Sequence, residues 1–238
     1  MAITTVGLDG DDTLWHSESH FAVTTARMTE LLAPWVPRDT DAEGHLLRIE
    51  AANLGLLGYG VKAFTLSMIE TAIEVSDGKV PASAIREILE WGKELLDHPV
   101  ELLPEVADAL DDLVGRYRLV LVTKGDLLHQ ESKLARSGLA ESFSGIEIVS
   151  EKDVATYGRI MARHDVAPAE FVMVGNSVRS DVLPVLELGA RAVHVPYHVT
   201  WAHERVDDDP GVPVLAHLGE LPQLLAAWDD GRLDGPRN

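Results

Sequence analysis

An apolar run near the start of the chain closes on three acids: VGLDGDDTLW, residues 6–15. Asp9, Asp11 and Asp12 fall within four positions, and carboxylates so crowded repel one another unless something shared offsets their charge. The stretch ITTVGL (3–8) leading into them has the length and β-branched content of a buried strand. In an open α/β sheet, ligands bind beyond the carboxyl ends of the strands, and Asp9 falls at such an end. Gly10 lets the chain turn without side-chain obstruction, so Asp9 and Asp11 are expected to aim into one small volume. Such a pair favours a hard cation with oxygen ligands, Mg²⁺ above all. A calcium-binding helix–loop–helix is excluded, because its loop needs Gly at the sixth position and Glu at the twelfth. Those positions hold Leu14 and His20.

Four further runs read as strands: YRLVLVT (117–123), GIEIVS (145–150), EFVMVG (170–175) and ARAVHVP (190–196). Helical patterns separate them. LLHQESKLARSGL stops at Gly138; Val154, Tyr157, Ile160 and Met161 share one face; Val182, Val185, Leu186 and Leu188 lead to Gly189. Alternation of this kind predicts a parallel sheet flanked by helices, a Rossmann-like α/β core. The first strand breaks the rhythm: Asp9 and Thr123 are 114 positions apart, and the interval is helical throughout. Phe21, Thr25, Met28 and Leu32 recur at helical spacing, as do Phe64, Met68, Ala72 and Val75, and Ile85, Leu89, Gly92 and Leu96. Pro34, Pro37, LGLLGYG (54–60), Pro81 and Pro99 punctuate them. The expected organisation is a discontinuous core of residues 1–15 and 100–238 with an all-α insertion at 16–99. The tail DDGRLDGPRN (229–238) lacks periodicity and is expected to fray.

Composition narrows the function. Hydrophobic residues make up 46% of the 238, enough for a substantial core. Thirty-nine acids against 20 Lys and Arg give a formal charge of −19, which disfavours nucleic acid and anionic membrane as partners. No cysteine is present, so disulfides, thiolate metal sites and cysteine nucleophiles are excluded. The amino terminus lacks the pattern of a signal peptide, and no run approaches the ~20 apolar residues of a membrane helix. A cytoplasmic location is the expectation.

The other strand ends carry matching polar residues. The second closes as Thr123-Lys124-Gly125-Asp126, where a hydroxyl and main-chain N–H groups at a helix start suit a phosphate oxygen. Glu151-Lys152-Asp153 follows the third strand, and Gly175-Asn176-Ser177-Val178-Arg179-Ser180-Asp181 closes the fourth. Taken together these segments resemble the haloacid dehalogenase superfamily of phosphohydrolases. Its first motif, D-x-D-x-T after a strand, is matched by Asp9, Asp11 and Thr13. Its second, a Ser or Thr ending a strand, is matched by Thr123; its third, a Lys, by Lys152. Its fourth, G-D-x₃₋₄-D, is matched by Gly175 and Asp181, with Asn176 in place of the first Asp. The resemblance spans the whole chain, and the insertion resembles that family's helical cap between the first and second motifs.

The resemblance implies a mechanism. Asp9 would be the nucleophile, already ionised and in need of no activating base, and would form an aspartyl-phosphate. Asp11 would protonate the leaving alkoxide and then take a proton from the hydrolytic water. Lys152, with Thr123, Lys124 and Gly125, would hold the phosphoryl group. Mg²⁺ would be bound by Asp9, the main-chain carbonyl of Asp11, Asn176 and Asp181. Because halide departs without a proton, dehalogenases of the family need no acid at the position of Asp11, which favours a small phosphorylated metabolite as substrate. A 2-haloacid dehalogenase, a sugar phosphomutase and a non-catalytic binding protein are the alternatives.

Other signals are weaker. GYGVKA (58–63) matches a dinucleotide pattern but follows a helical stretch and not a strand; Tyr59 and Lys62 there are candidates to face a substrate. His203-Glu204-Arg205-Val206-Asp207 starts like a zinc-protease helix but lacks the second His. Pro196 argues against a helix carrying His194 and His198.

Overall fold

The structure, a computed structural model, describes residues 2–206 and 210–231. Most of the tail expected to fray, 232–238, lies outside the described residues, as does Asp207. In chain order the main elements are β1 (Thr5–Leu8), α1 (Glu18–Leu32), α2 (Ala42–Leu57), α3 (Val61–Val75), α4 (Ala82–Asp97), α5 (Val106–Leu113), β2 (Arg118–Lys124), α6 (Leu127–Ser137), β3 (Gly145–Val149), α7 (Val154–Arg163), β4 (Phe171–Gly175), α8 (Leu183–Glu187), β5 (Arg191–His194) and α9 (Leu221–Asp229). They fall into two compact units. One comprises the described residues of 1–16, 100–124 and 130–238; the other comprises 17–99 with 125–129.

The first unit is built on a parallel sheet in the order β3-β2-β1-β4-β5. Side chains of a strand alternate between faces, and here both faces are buried. Val6, Leu8, Leu119, Leu121, Val172 and Val174 join one cluster with α5 and α9; Val120, Val122, Phe171 and Met173 join another with α7 and α8. That accounts for strands that read as continuous apolar runs and not as alternations. Gly7 is where a side chain would not fit: a Cβ there would stand 2.6 Å from the Phe171 ring and 2.9 Å from Met173 Sδ. The fold is thus Rossmann-like α/β with helices on both sides. Leu8 lies opposite both Leu121 and Val174, so the residues after β1, β2 and β4 leave the sheet along the same edge.

The second unit packs α2 on α3, α3 on α4 and α4 on α1. Met28, Leu46, Phe64, Met68, Ile88 and Trp91 fill its core. The buried stripe of α4 is Ala84, Ile88, Trp91, Gly92 and Leu95. Of the Ile85, Leu89, Gly92 and Leu96 that spacing singles out, Gly92 belongs to it, Ile85 and Leu96 pack half-buried beside it, and Leu89 is exposed. The large Trp91 and the close approach at Gly92 centre the stripe where it is: a Cβ on Gly92 would lie 2.3 Å from Thr65 Oγ1. GYG links α2 to α3, so no strand precedes the glycine pattern. Among the described residues no helix is long and apolar enough to cross a membrane.

Candidate active site

The turn after β1 is held by its own main chain. Asp9 N–H donates to Val174 O at 2.9 Å, Leu14 N–H to Gly10 O at 2.8 Å and Asp12 N–H to Trp15 O at 2.7 Å. Gly10 is needed for closeness: a Cβ there would stand 2.9 Å from the Trp15 ring and 3.2 Å from Thr123 Oγ1. The left-handed residue of the turn is Asp12, at φ 61°, a conformation that Asp tolerates better than most residues. Thr13 Oγ1 donates weakly back to Asp9 Oδ2, at 3.4 Å.

Above this turn one ammonium serves two carboxylates. Lys152 Nζ donates to Asp9 Oδ1 and, at 2.7 Å, to Asp181 Oδ1. All three groups are buried. Lys152 is delivered by the start of α7, where Asp153 accepts from Thr156 N–H at 2.7 Å. Asp181 sits on a π-helical turn, residues 178–182. Its Oδ2 accepts from Ser177 N–H at 3.0 Å, and its carboxylate lies across Gly175, where a Cβ would come within 2.2 Å of Oδ2. The glycine of the fourth segment therefore makes room for the acid of the same segment. Tyr157 Oη donates to Ser180 O at 3.0 Å and steadies that turn.

The electrostatics follow from the charge count. Burial, and to a lesser degree the charges of Asp181 and Asp11, push the Asp9 carboxyl up to about 7, although Lys152 pulls the other way. Burial also opposes the charge on Lys152, but Asp181 and Asp9 outweigh it and hold its ammonium well above the ordinary lysine range. Two buried carboxylates against one ammonium leave an excess negative charge, and that imbalance fits a hard cation. Among the described residues no three His, Asp or Glu side chains gather as a metal cluster. A cation here would rest on Asp9 and Asp181 with uncharged oxygens, the sparse protein ligation that Mg²⁺ accepts while keeping water or substrate oxygens.

The remaining sequence-predicted residues are placed less uniformly. Thr123 is buried beside Gly10. Asn176 is partly exposed, and its main-chain oxygen accepts from His194 Nε2 at 3.0 Å. The Asp11 carboxylate is held by Trp15, Gln130 and Lys133. Lys133, Gln130 and Trp15 lower its pKa against the opposing effect of burial. Lys124 is paired with Glu204 and donates to Ser180 Oγ at 2.9 Å. Gly125, at φ 131°, belongs with the helical unit. There Lys62 Nζ meets Asp126 Oδ2 at 2.9 Å, and Tyr59 is half-buried in the α2–α3 link.

Sequence reasoning missed Glu204, which accepts from Lys124 and from the hydroxyls of Ser177 and Ser180. No motif marks it. It also missed Gln130 and Lys133, because α6 buries these two polar residues and exposes Leu127 and Leu128, against what its sequence suggests.

With this geometry in hand, comparison with known proteins gives the class. The model of the haloacid dehalogenase-like hydrolases matches residues 3–189. The chain belongs to that family, and it is accordingly a hydrolase of the haloacid dehalogenase type. It is 42% identical to a haloacid dehalogenase-like family hydrolase from Xanthomonas campestris, covering 97% of this chain and 94% of that one with a TM-score of 0.87. The 2-haloacid dehalogenase of Pseudomonas syringae pv. tomato is 23% identical, with 95% and 99% covered and a TM-score of 0.62. The hydrolase YfnB of Bacillus subtilis, solved bound to magnesium, is 16% identical, with 94% and 99% covered and a TM-score of 0.66. The last two establish a common fold. No curated protein matches the chain.

Proposed function

We propose that this protein hydrolyses a small phosphate monoester through a covalent aspartyl-phosphate on Asp9. The observation that carries the reading is the buried Asp9–Lys152–Asp181 constellation at the carboxyl edge of β1 and β4. Asp9 is the nucleophile. The ammonium of Lys152 lies against its Oδ1, so the charge of an incoming phosphoryl group meets a fixed positive group. Phosphoryl transfer depends chiefly on such positioning and charge stabilisation. Thr123, Lys124 and Gly125 are the further candidates to bind phosphate, with Lys124 having to leave Glu204 in part. Asp9, the Asp11 carbonyl, Asn176 and Asp181 would hold Mg²⁺, which supplies neutralising charge at the carboxylates and the phosphate; the magnesium-bound YfnB relative supports the same choice. The helical unit would act as a cap that selects the substrate.

Asp11 favours a phosphate ester over a 2-haloacid, because an alkoxide needs a proton to depart and a halide does not. The test is a screen of metabolite phosphates with Mg²⁺, run on wild type and Asp9→Asn, beside chloride release from 2-haloacids in EDTA. Phosphate release by wild type and its loss in the folded variant are expected. Equal phosphate release by both proteins, or chloride release without metal, would overturn the assignment.

A further inference from the structure

The π-helical turn that carries Asp181 is gripped through Ser177. The Ser177 N–H donates to Asp181 Oδ2 at 3.0 Å, and the Ser177 carbonyl accepts from the Asp181 N–H at 2.7 Å. Lys152 takes the other carboxylate oxygen, Oδ1, at 2.7 Å. The seat of Ser177 therefore sets where one acid of the candidate Mg²⁺ site stands. That seat is fixed from outside the turn. Ser177 Oγ and Ser180 Oγ both donate to Glu204 Oε2, the second at 2.7 Å. Both serines are buried, and the Glu204 side chain is only 14% exposed.

A serine hydroxyl has one hydrogen to give and two lone pairs to receive with. Ser177 Oγ already accepts from Ser180 N–H at 3.1 Å, and Ser180 Oγ from Lys124 Nζ at 2.9 Å. Each hydroxyl hydrogen still needs an acceptor, since a buried donor left unpaired is costly. Among the described residues Glu204 Oε2 is the acceptor for both, and its other oxygen takes Lys124 Nζ. An ionised carboxylate only accepts, so it satisfies two hydroxyls and an ammonium at once. Hydrophobic burial does not bring it there: no residue of the 202–204 turn is buried. Drawing a carboxylate out of water is costly unless it gains partners, and these three are what it gains. We infer that Glu204 is a positioning residue for the Mg²⁺ site: by taking both serine hydrogens it locks the turn at Ser177 and so holds the Asp181 carboxylate in place for the cation. The inference rests on the reading of Asp181 as a Mg²⁺ ligand. Partners that orient a metal ligand typically change metal affinity by roughly 10–100-fold.

Removing a carboxylate also weakens a nearby cation site through charge alone, so the test holds charge constant. Calorimetric titration with Mg²⁺ alone, without substrate, compares wild type, Lys124→Met/Glu204→Gln, Lys124→Met/Glu204→Ala and Ser177→Ala/Ser180→Ala. Asp181→Asn serves as the reference for nonspecific binding. Both Lys124→Met variants keep the net charge of wild type and differ in whether residue 204 offers an oxygen. With the ammonium gone, the glutamine carbonyl can take both hydroxyl hydrogens. The glutamine variant is expected to bind Mg²⁺ within about threefold of wild type, and the alanine variant roughly 10–100-fold more weakly. Ser177→Ala/Ser180→Ala, which alters no charge, should show the same loss and carries the comparison if Lys124→Met/Glu204→Ala does not fold. Equal affinity in the two Lys124→Met variants, or wild-type affinity in the serine variant, would overturn the positioning role. Wild type binding Mg²⁺ no more tightly than Asp181→Asn would instead defeat the metal assignment and this inference with it; phosphate release by wild type and Asp9→Asn decides the phosphatase reading separately.

Discussion

A single carbon atom tests how tightly the site is built. At Gly175 a Cβ would fall within 2.2 Å of Asp181 Oδ2, and the carboxylate cannot yield without leaving Lys152 or the Ser177 N–H. Gly175→Ala is therefore expected to cost about 1–3 kcal/mol of stability and to lower kcat/KM at least tenfold. A thermal melt and steady-state assays measure the two. Wild-type activity in this variant would mean that the position of Asp181 is immaterial. Lys152 sits at the same scale. Removing one partner of a buried ion pair costs about 3–5 kcal/mol, and Lys152→Met strands two carboxylates, one of which must then take up a proton. Denaturant unfolding should show a loss in that range at neutral pH. That Asp9, Lys152 and Asp181 would be neighbours was legible, because each closes a strand or follows one, where chain geometry alone brings residues together; the partners of Asp11 on α6 were not. Glu204 was not, since it reaches Lys124 and the 177–180 turn from an irregular segment whose path no periodicity records.

Elements carry the next level. The turn at 202–204 ties to the π-helical turn through Glu204, and Arg179 Nη1 donates to His203 O at 2.7 Å. Burial opposes the Glu204 charge, but Lys124 and the two serine hydroxyls win and lower its pKa below the ordinary 4.5. A carboxylate more acidic in the folded state stabilises above its unfolded pKa, and that contribution disappears as pH falls through the folded value. Glu204→Gln should therefore cost about 1–3 kcal/mol near pH 7, and its difference from wild type should shrink below pH 4.5. Unfolding curves from pH 7 to pH 3 measure this; a difference constant with pH would remove Glu204 from the account. Gly92 in α4 tests the helical unit. Alanine gains about 0.5–1 kcal/mol of helix propensity, but its Cβ would meet Thr65, and overpacking costs about 1–3 kcal/mol. A net loss is expected on unfolding, whereas a gain would show that α3 and α4 can separate freely. The helix itself was legible from spacing and its buried face only in part: Gly92 was read correctly, but Ile88 and Trp91, one residue to its side, are brought to the centre by the partner helix.

At the scale of the whole molecule, the parallel sheet and the long helical interval were readable because both faces of the sheet are buried, which writes each strand as an unbroken apolar run. The segment 125–129, which groups with the helical unit, was not readable: five residues beside a strand carry no mark of the unit they pack with. On the proposed reading, a phosphorylated substrate must approach against a molecular charge of −19 and an Asp9 cluster that is itself net negative, so the proposed Mg²⁺ would have to supply the balance. The account as a whole depends on Asp9 becoming phosphorylated. Rapid acid quenching of enzyme turning over 4-nitrophenyl phosphate with Mg²⁺, followed by peptide mass spectrometry, measures that directly. One added phosphoryl group on the peptide bearing Asp9, absent from Asp9→Asn, is the predicted result; turnover with no phosphorylated peptide, or with the group on another residue, would contradict it.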